Sequence, residues 1–364
     1  MEYIIAGLRI DIPREFATGS FGMALAPFAA TKAPQNTAQA ADTAAGSNAK
    51  TAANATAKAE ADAAMPPAAR TFPAANAPAV DLKVTAGQPV GEGAGYRELD
   101  AFDFADADAD CRFGRDTEGY LLTMTPRDGS APAHFRKAYD SPVATSDFGV
   151  HHAPALFRFG LWTMFNLAAV ERQAVAIHSS VICLRGEAVL FLGESGTGKS
   201  THTRLWREHI PGAELLNDDS PIVRIAAKGA ADDAPNRQTS YTATDDTDAE
   251  AQAGTQVVAC GAPWSGKTPC YRNLSYPIRA IVRLSQAPQN RIRRLRPIEA
   301  IGALLPSCPP SFAHDERLED AVCRLVSGVV AQVPVYHLEC LPDAAAAELA
   351  CRTVFGEESS NTRP

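Results

Sequence analysis

The run Gly193-Glu194-Ser195-Gly196-Thr197-Gly198-Lys199-Ser200-Thr201 brings together three glycines, a lysine and several hydroxyl side chains. Without a Cβ, the glycines let successive backbone N–H groups close around an anion. The lysine adds a mobile positive charge, and the serine hydroxyl offers a hard oxygen to a small divalent cation. The chemistry this fits is the grip on a triphosphate. Such a grip needs a strand to deliver the loop and a helix opening directly after it, so that the helix N-terminus faces the anion. Both are expected. Ala188–Leu192 is an unbroken apolar run, and a helix is predicted over Ser200–His209. ATP and Mg²⁺ are the expected cofactors, with Lys199 reaching the β- and γ-phosphates and Ser200 ligating the metal.

A pair of carboxylates follows in Leu215-Leu216-Asn217-Asp218-Asp219, with Asp218 placed 19 residues beyond Lys199. That gap holds one short helix and one turn, so the pair falls at the end of the very next strand. Beside a triphosphate, one carboxylate can hold Mg²⁺ while the other accepts the proton of an attacking hydroxyl.

The pattern G-x-x-x-x-G-K-[ST] recurs at Gly261-Ala262-Pro263-Trp264-Ser265-Gly266-Lys267-Thr268. Here Pro263 and Trp264 lie inside the loop, Pro269 follows it directly and Pro277 comes soon after, so no long helix can leave it. A second nucleotide cradle is not expected. The segment is either a tight structural turn or an active-site loop that carries Lys267 and Arg272.

His178, fifteen residues ahead of Gly193, completes a succession that resembles the catalytic domain of HPr kinase/phosphorylase and its relatives with the phosphoenolpyruvate carboxykinase-like fold. Tyr271-Arg272-Asn273-Leu274-Ser275-Tyr276-Pro277-Ile278 is similar to the carboxykinase segment in which an arginine precedes Ser-Tyr-Pro-Ile and contacts the γ-phosphate. The likeness covers Ala174–Asp219 and Gly261–Leu284. It implies that His178 sits near the transferred phosphoryl group, with Asp218 as the base. It further implies that Asp219 is the metal ligand beside Ser200 and that Arg272 is a transition-state arginine, Lys267 standing next in line for that role. The implied activity is ATP-dependent phosphoryl transfer to a serine hydroxyl of a protein or peptide. Nothing resembles the oxaloacetate and second-metal sites of a carboxykinase. Two rivals remain: a small-metabolite P-loop kinase, and a nucleotide-gated binding module without turnover. Convergence of Asp218, His178 and Arg272 on the γ-phosphate position would separate catalysis from mere binding.

The elements that must position these residues alternate in kind, and the fold class is α/β. The resemblance makes it a P-loop kinase domain of the HPr kinase/phosphoenolpyruvate carboxykinase-like type, over 156–356. Strands are expected at Tyr3–Ile12, Leu82–Thr85, Tyr120–Thr125, His134–Tyr139, Ala174–Leu184, Ala188–Leu192, Glu214–Leu216, Ile278–Leu284 and Val333–Cys340. Further helices are expected at Leu156–Arg172, Asp315–Val330 and Ala344–Phe355. An N-terminal strand segment spans 1–27, and a small β-rich region spans 81–155. Residues 28–80 and 228–254 are low in large apolar side chains and are expected to be disordered insertions; 357–364 is a tail.

Other features restrict the function. The net charge of −8 disfavours a nucleic-acid surface. Eight cysteines form no C-x-x-C pair and no zinc spacing, which reads as reduced thiols in a cytoplasmic protein. No signal peptide and no membrane span are expected, and a homo-oligomer is left open. The acidic run Asp103, Asp106, Asp108, Asp110 lacks the glycine and glutamate of a calcium loop and reads as a solvated surface. Arg291, Arg293, Arg294 and Arg296 read as a strand-end surface.

Overall fold

Strands outnumber helices among the described residues, and the computed structural model gathers seventeen of them into two sheets. It describes residues 1–30, 80–87, 91–149, 151–227, 254–266 and 268–356. The expected insertions at 28–80 and 228–254 lie outside the described residues except at their edges, as do the tail and Lys267.

The first sheet is built from β1 (Glu2–Ile5), β2 (Leu8–Asp11), β3 (Leu82–Ala86), β4 (Arg97–Phe104), β5 (Ala109–Arg115), β6 (Gly119–Pro126), β7 (Ala133–Ala138) and β8 (Val143–Ser146). Their spatial order is β1-β2-β3-β8-β7-β6-β5-β4. The expected single strand Tyr3–Ile12 is instead a hairpin. Ala6 and Gly7 take positive φ (51° and 80°), as a two-residue hairpin turn requires. Alanine at a position that usually takes Asn or Gly hid that turn. After β2 comes a short helix, α1 (Gly19–Leu25), which the sequence reading omitted. Phe28 beyond it is fully buried and Ala29 bridges Tyr3, so ordered chain extends past residue 27. The segments 1–27 and 81–155 thus share one sheet rather than standing apart.

The acidic run forms the β4–β5 turn, where Arg127 gathers Asp103, Asp108 and Asp110 at 2.5, 3.3 and 2.5 Å. Strands β4 and β5 were missed because exposed aspartates break the apolar alternation on one face. Their inward residues Ala109, Cys111 and Phe113 are buried.

Helix α2 (Pro154–Val170) opens on a proline at its first turn and is buried along most of its length. It packs on β3, β6 and β7 of the first sheet and on β9 of the second. The second sheet contains β9 (Ala174–Ala176), β10 (Ser179–Leu184), β11 (Glu187–Leu192), β12 (Glu214–Asp219), β13 (Ile222–Ala227), β14 (Thr255–Cys260), β15 (Ser275–Gln286), β16 (Arg291–Arg294) and β17 (Val335–Cys340). Its path runs β12-β10-β11-β15-β14-β13-β9, with β17 also beside β15 and β16 outside β17. The long β15 serves both halves: its start pairs antiparallel with β14, and the rest pairs parallel with β11 and β17. Helices α3 (Lys199–His209), α4 (Pro297–Leu304), α5 (Glu316–Gln332) and α6 (Ala344–Phe355) complete the α/β architecture.

Burial of β11 on both faces explains its unbroken apolar run. Val189 and Phe191 pack with Leu205 and Trp206 of α3 and Val354 of α6, while Ala188, Leu190 and Leu192 face the larger core shared with α2. Asp315 caps α5 and links the layers, accepting hydrogen bonds from the Leu318 N–H and the Tyr120 hydroxyl and pairing with Arg115 at 2.8 Å.

Candidate functional site

The first glycine run sits where both of its geometric requirements are met. β11 ends at Leu192, and α3 starts at Lys199 with Gly198 as N-cap at φ 100°. A residue with a Cβ is strained there, and a Cβ at Gly193 would collide with the Thr197 hydroxyl. The Thr197 hydroxyl donates to the Glu194 carbonyl at 2.7 Å and closes the loop on itself. Lys199 folds back over it, its Nζ donating to the Gly193 carbonyl at 2.7 Å and the Glu194 carbonyl at 3.3 Å. Glu194, Ser195 and Gly196 are exposed along the outer edge. Beside the loop opens a cavity of about 540 Å³, lined by Gly196, Thr197, Thr201, Leu284 and Leu341 among others.

β12 carries both aspartates within the strand rather than after it, because it extends three residues beyond the expected Leu216. Strand alternation sends them to different places. Asp218 is buried and turns toward α3. Its Oδ1 accepts from the Ser200 hydroxyl at 3.0 Å and from the Ser180 hydroxyl at 2.6 Å. Asp219 turns the other way, with Oδ1 3.7 Å from His178 Nε2, both side chains half-exposed. His178 owes its position to the break between β9 and β10, where Ala174–Leu184 was expected to run as one strand.

The electrostatics follow this geometry. Burial raises the Asp219 carboxyl above its ordinary value, against the pull of His178 and Arg158. Burial and the charge of Lys199 hold His178 below the usual imidazole value, with Asp219 opposing. Burial also lowers Lys199, again opposed by both aspartates. At neutral pH this leaves a neutral imidazole beside a carboxylate that is more basic than usual.

The second glycine run has a different role. Among the described residues of 261–274 there is no helix. The Gly266 N–H donates to the Asp218 carbonyl at 2.7 Å, and Ser265 bridges Asp219. The Asn217 side-chain amide donates to the carbonyls of Ala262 and Trp264 at 3.2 and 3.0 Å, while its oxygen accepts the N–H groups of Asp219 and Ser220. This segment is a brace under the aspartate pair.

Arg272 is not brought to the cluster. Its guanidinium donates to Glu214 Oε2 at 2.8 Å and the Leu215 carbonyl at 3.0 Å, at the opposite end of β12. About 13 Å of strand separates Glu214 from Asp218. The position implied by the resemblance is not reached because the chain from Gly261 to Leu274 doubles back, with Gly261 N–H donating to the Leu274 carbonyl. The arginine near the aspartates is Arg158 on α2, held by the Ser265 carbonyl at 2.6 Å. No motif marks Arg158, Ser180 or Asn217; only Asn217, next to the acidic pair, carried a signal in sequence.

Among the described residues, no group of three or more His, Cys, Asp or Glu is placed to hold a metal unaided, and no helix is long and apolar enough to cross a membrane. No family model and no curated protein matches the chain.

Proposed function

We propose that this protein is an ATP-dependent phosphotransferase with a P-loop kinase domain of the HPr kinase-like type, passing the γ-phosphoryl group to a hydroxyl acceptor. The observation that carries this reading is the meeting of Lys199, Ser200, Asp218, Asp219 and His178 where β11 and β12 end and β10 and α3 begin. Two oxygen donors, Ser200 Oγ and the Asp218 carboxylate, already lie 3.0 Å apart, and hard oxygens are what Mg²⁺ takes, usually alongside phosphate oxygens and water. Bound there, the ion would neutralise charge on the phosphates. Lys199 would exchange its loop carbonyls for phosphate oxygens, and the cavity beside Gly196 and Thr201 is a natural place for the nucleoside.

These contacts exchange the two carboxylate roles implied by the family resemblance. Asp218 is the metal-side group. Asp219 is the base that takes the acceptor proton, its basicity raised by burial and its position shared with neutral His178. Arg158 is better placed than Arg272 to meet developing phosphoryl charge.

The resemblance carries a serine hydroxyl of a protein or peptide as acceptor. A small-metabolite acceptor is favoured by one observation, a cavity bounded by His178 and Asp219. Calorimetric titration with ATP tests the core of the reading: binding should require Mg²⁺ and be lost in Lys199→Ala. Equal binding without Mg²⁺, or by that variant, would refute it.

A further inference from the structure

We propose that the cavity bounded by His178 and Asp219 is the acceptor site and that it takes a small ring-bearing alcohol, uncharged or zwitterionic. This rests on the phosphotransferase reading and specifies its second substrate. The cavity holds about 350 Å³, at the small end of the range for small-molecule sites. Its wall is a stack of three flat rings. Phe104 lies on Phe159 with centroids 4.6 Å apart and planes 26° apart, and Phe159 lies on Trp162 at 5.6 Å and 16°. Trp264 adds a fourth, buried ring.

Both indole N–H groups are already committed, Trp162 to the Ser220 hydroxyl at 2.8 Å and Trp264 to the Arg158 carbonyl at 3.1 Å. The rings therefore present apolar surface rather than donors. Phe159 is covered by its two neighbours, so the stack offers ring edges. An edge meets the face of another ring in the T-shaped arrangement that aromatic pairs favour. Phe104, Phe159 and Trp162 are only half-buried, although they come from two different layers of the fold. A self-contained core would have covered them. The charges lining the cavity have both signs, Arg158 against Asp106 and Asp219, which matches an uncharged or zwitterionic body better than a strongly anionic one.

A protein acceptor fits less well. Among the described residues the exposed large hydrophobics are Met1, Met23, Ile298 and Leu341, and none of them lines this cavity.

In the step itself, the acceptor hydroxyl oxygen forms a bond to the γ-phosphorus. The bond from that phosphorus to the β–γ bridging oxygen breaks, and ADP leaves with the electron pair. The hydroxyl proton passes to the Asp219 carboxylate, giving a phosphate monoester and ADP.

The test is to incubate the full chain with Mg²⁺, γ-labelled ATP and a cell lysate separated into a small-molecule filtrate and a macromolecular retentate. Label is expected in the filtrate, and Ala155→Trp, which fills the cavity, should lower it at least about tenfold. Phe104→Ala, at the half-exposed end of the stack, should raise KM for the labelled compound about three- to tenfold and leave kcat nearly unchanged. Label confined to protein would overturn the proposal, as would filtrate labelling indifferent to both substitutions. No label in either fraction while Mg²⁺–ATP binds would overturn it too. Failure to bind Mg²⁺–ATP would instead sink the phosphotransferase reading beneath it.

Discussion

Two segments of this chain fit the same eight-position pattern, G-x-x-x-x-G-K-[ST], at Gly193–Ser200 and Gly261–Thr268. One leaves a strand buried on both faces and runs directly into a helix. The other lies folded beneath the aspartates with no helix among its described residues. In the first, the Thr197 N–H turns back to the Glu194 carbonyl, and α3 opens from Gly198 with no side-chain cap on its first turn. In the second, the N–H of Gly266 is spent on the Asp218 carbonyl, and the carbonyls of Ala262 and Trp264 are spent on Asn217. An anion site needs donors that are not already satisfied. The lesson is that the pattern lists residue types, whereas function depends on which backbone groups the fold leaves unpaired.

The hardest test of this contrast is a pair of lysine substitutions. Lys199→Ala should lower kcat/KM on the order of 10³-fold or more, since it removes a charge aimed at the transferring group. Lys267→Ala should leave nucleotide affinity nearly intact. Steady-state kinetics and calorimetry on both variants decide the matter; comparable losses would erase the distinction between cradle and brace.

Asp219 stands where the two segments meet, and Asp219→Asn should reduce kcat roughly 10²-fold with ATP affinity little changed. The pH profile sharpens this. A base works only when deprotonated, so the rate falls as pH drops through its pKa. Because burial raises that pKa, the acid limb of the wild-type kcat profile should lie above the ordinary carboxylate value of 3.8. A profile flat down to that value would assign the base elsewhere.

Gly266→Ala probes the brace alone. A Cβ there would meet the Asp218 carbonyl oxygen at 2.7 Å and Asp219 Cβ at 3.2 Å, so the strand must shift. The expected cost is about 1–3 kcal/mol of stability, with a fall in kcat and little change in ATP affinity. Thermal unfolding with and without ATP measures both. A variant that instead loses ATP affinity and keeps its stability would make this segment part of the cradle.

Much of this was legible in sequence. The Ala188–Leu192 strand, the helix after it and the carboxylate pair were all written in apolar runs and short spacings, where local chemistry decides. The split in direction between Asp218 and Asp219 was not, because it depends on β12 continuing through a polar stretch that pairing with β10 and with the Gly261–Gly266 segment stabilises. Arg158 was invisible for a simpler reason. It lies on a helix whose apolar face reads as core, and its approach to Asp219 is set by packing between two sheets. The omitted strands β13 and β14 flank a low-complexity segment, yet Ala227 and Thr255 at their ends are direct cross-strand partners.

The smallest expected effect belongs to Arg272, which the family resemblance implied as a transition-state arginine. Its guanidinium pairs with Glu214, a residue with 61 % of its side chain exposed, and exposed pairs of this kind contribute at most about 1 kcal/mol. Its second hydrogen bond, to the Leu215 carbonyl, ties the Gly261–Leu274 segment to the start of β12 rather than to its Asp218–Asp219 end. Arg272→Ala should therefore cost about 1 kcal/mol or less and leave kcat within a small factor of wild type. Arg158→Ala should lower kcat far more than it lowers ATP affinity, because a guanidinium near the acceptor matters most as charge shifts onto the phosphoryl oxygens. The two variants form a matched pair, since each arginine donates to one backbone carbonyl, Arg158 to that of Ser265 and Arg272 to that of Leu215. Single-turnover rates at saturating ATP compare them directly. If Arg272→Ala proves the slower enzyme, the chain must rearrange on binding nucleotide by far more than a side-chain rotation. The brace would then be a moving part.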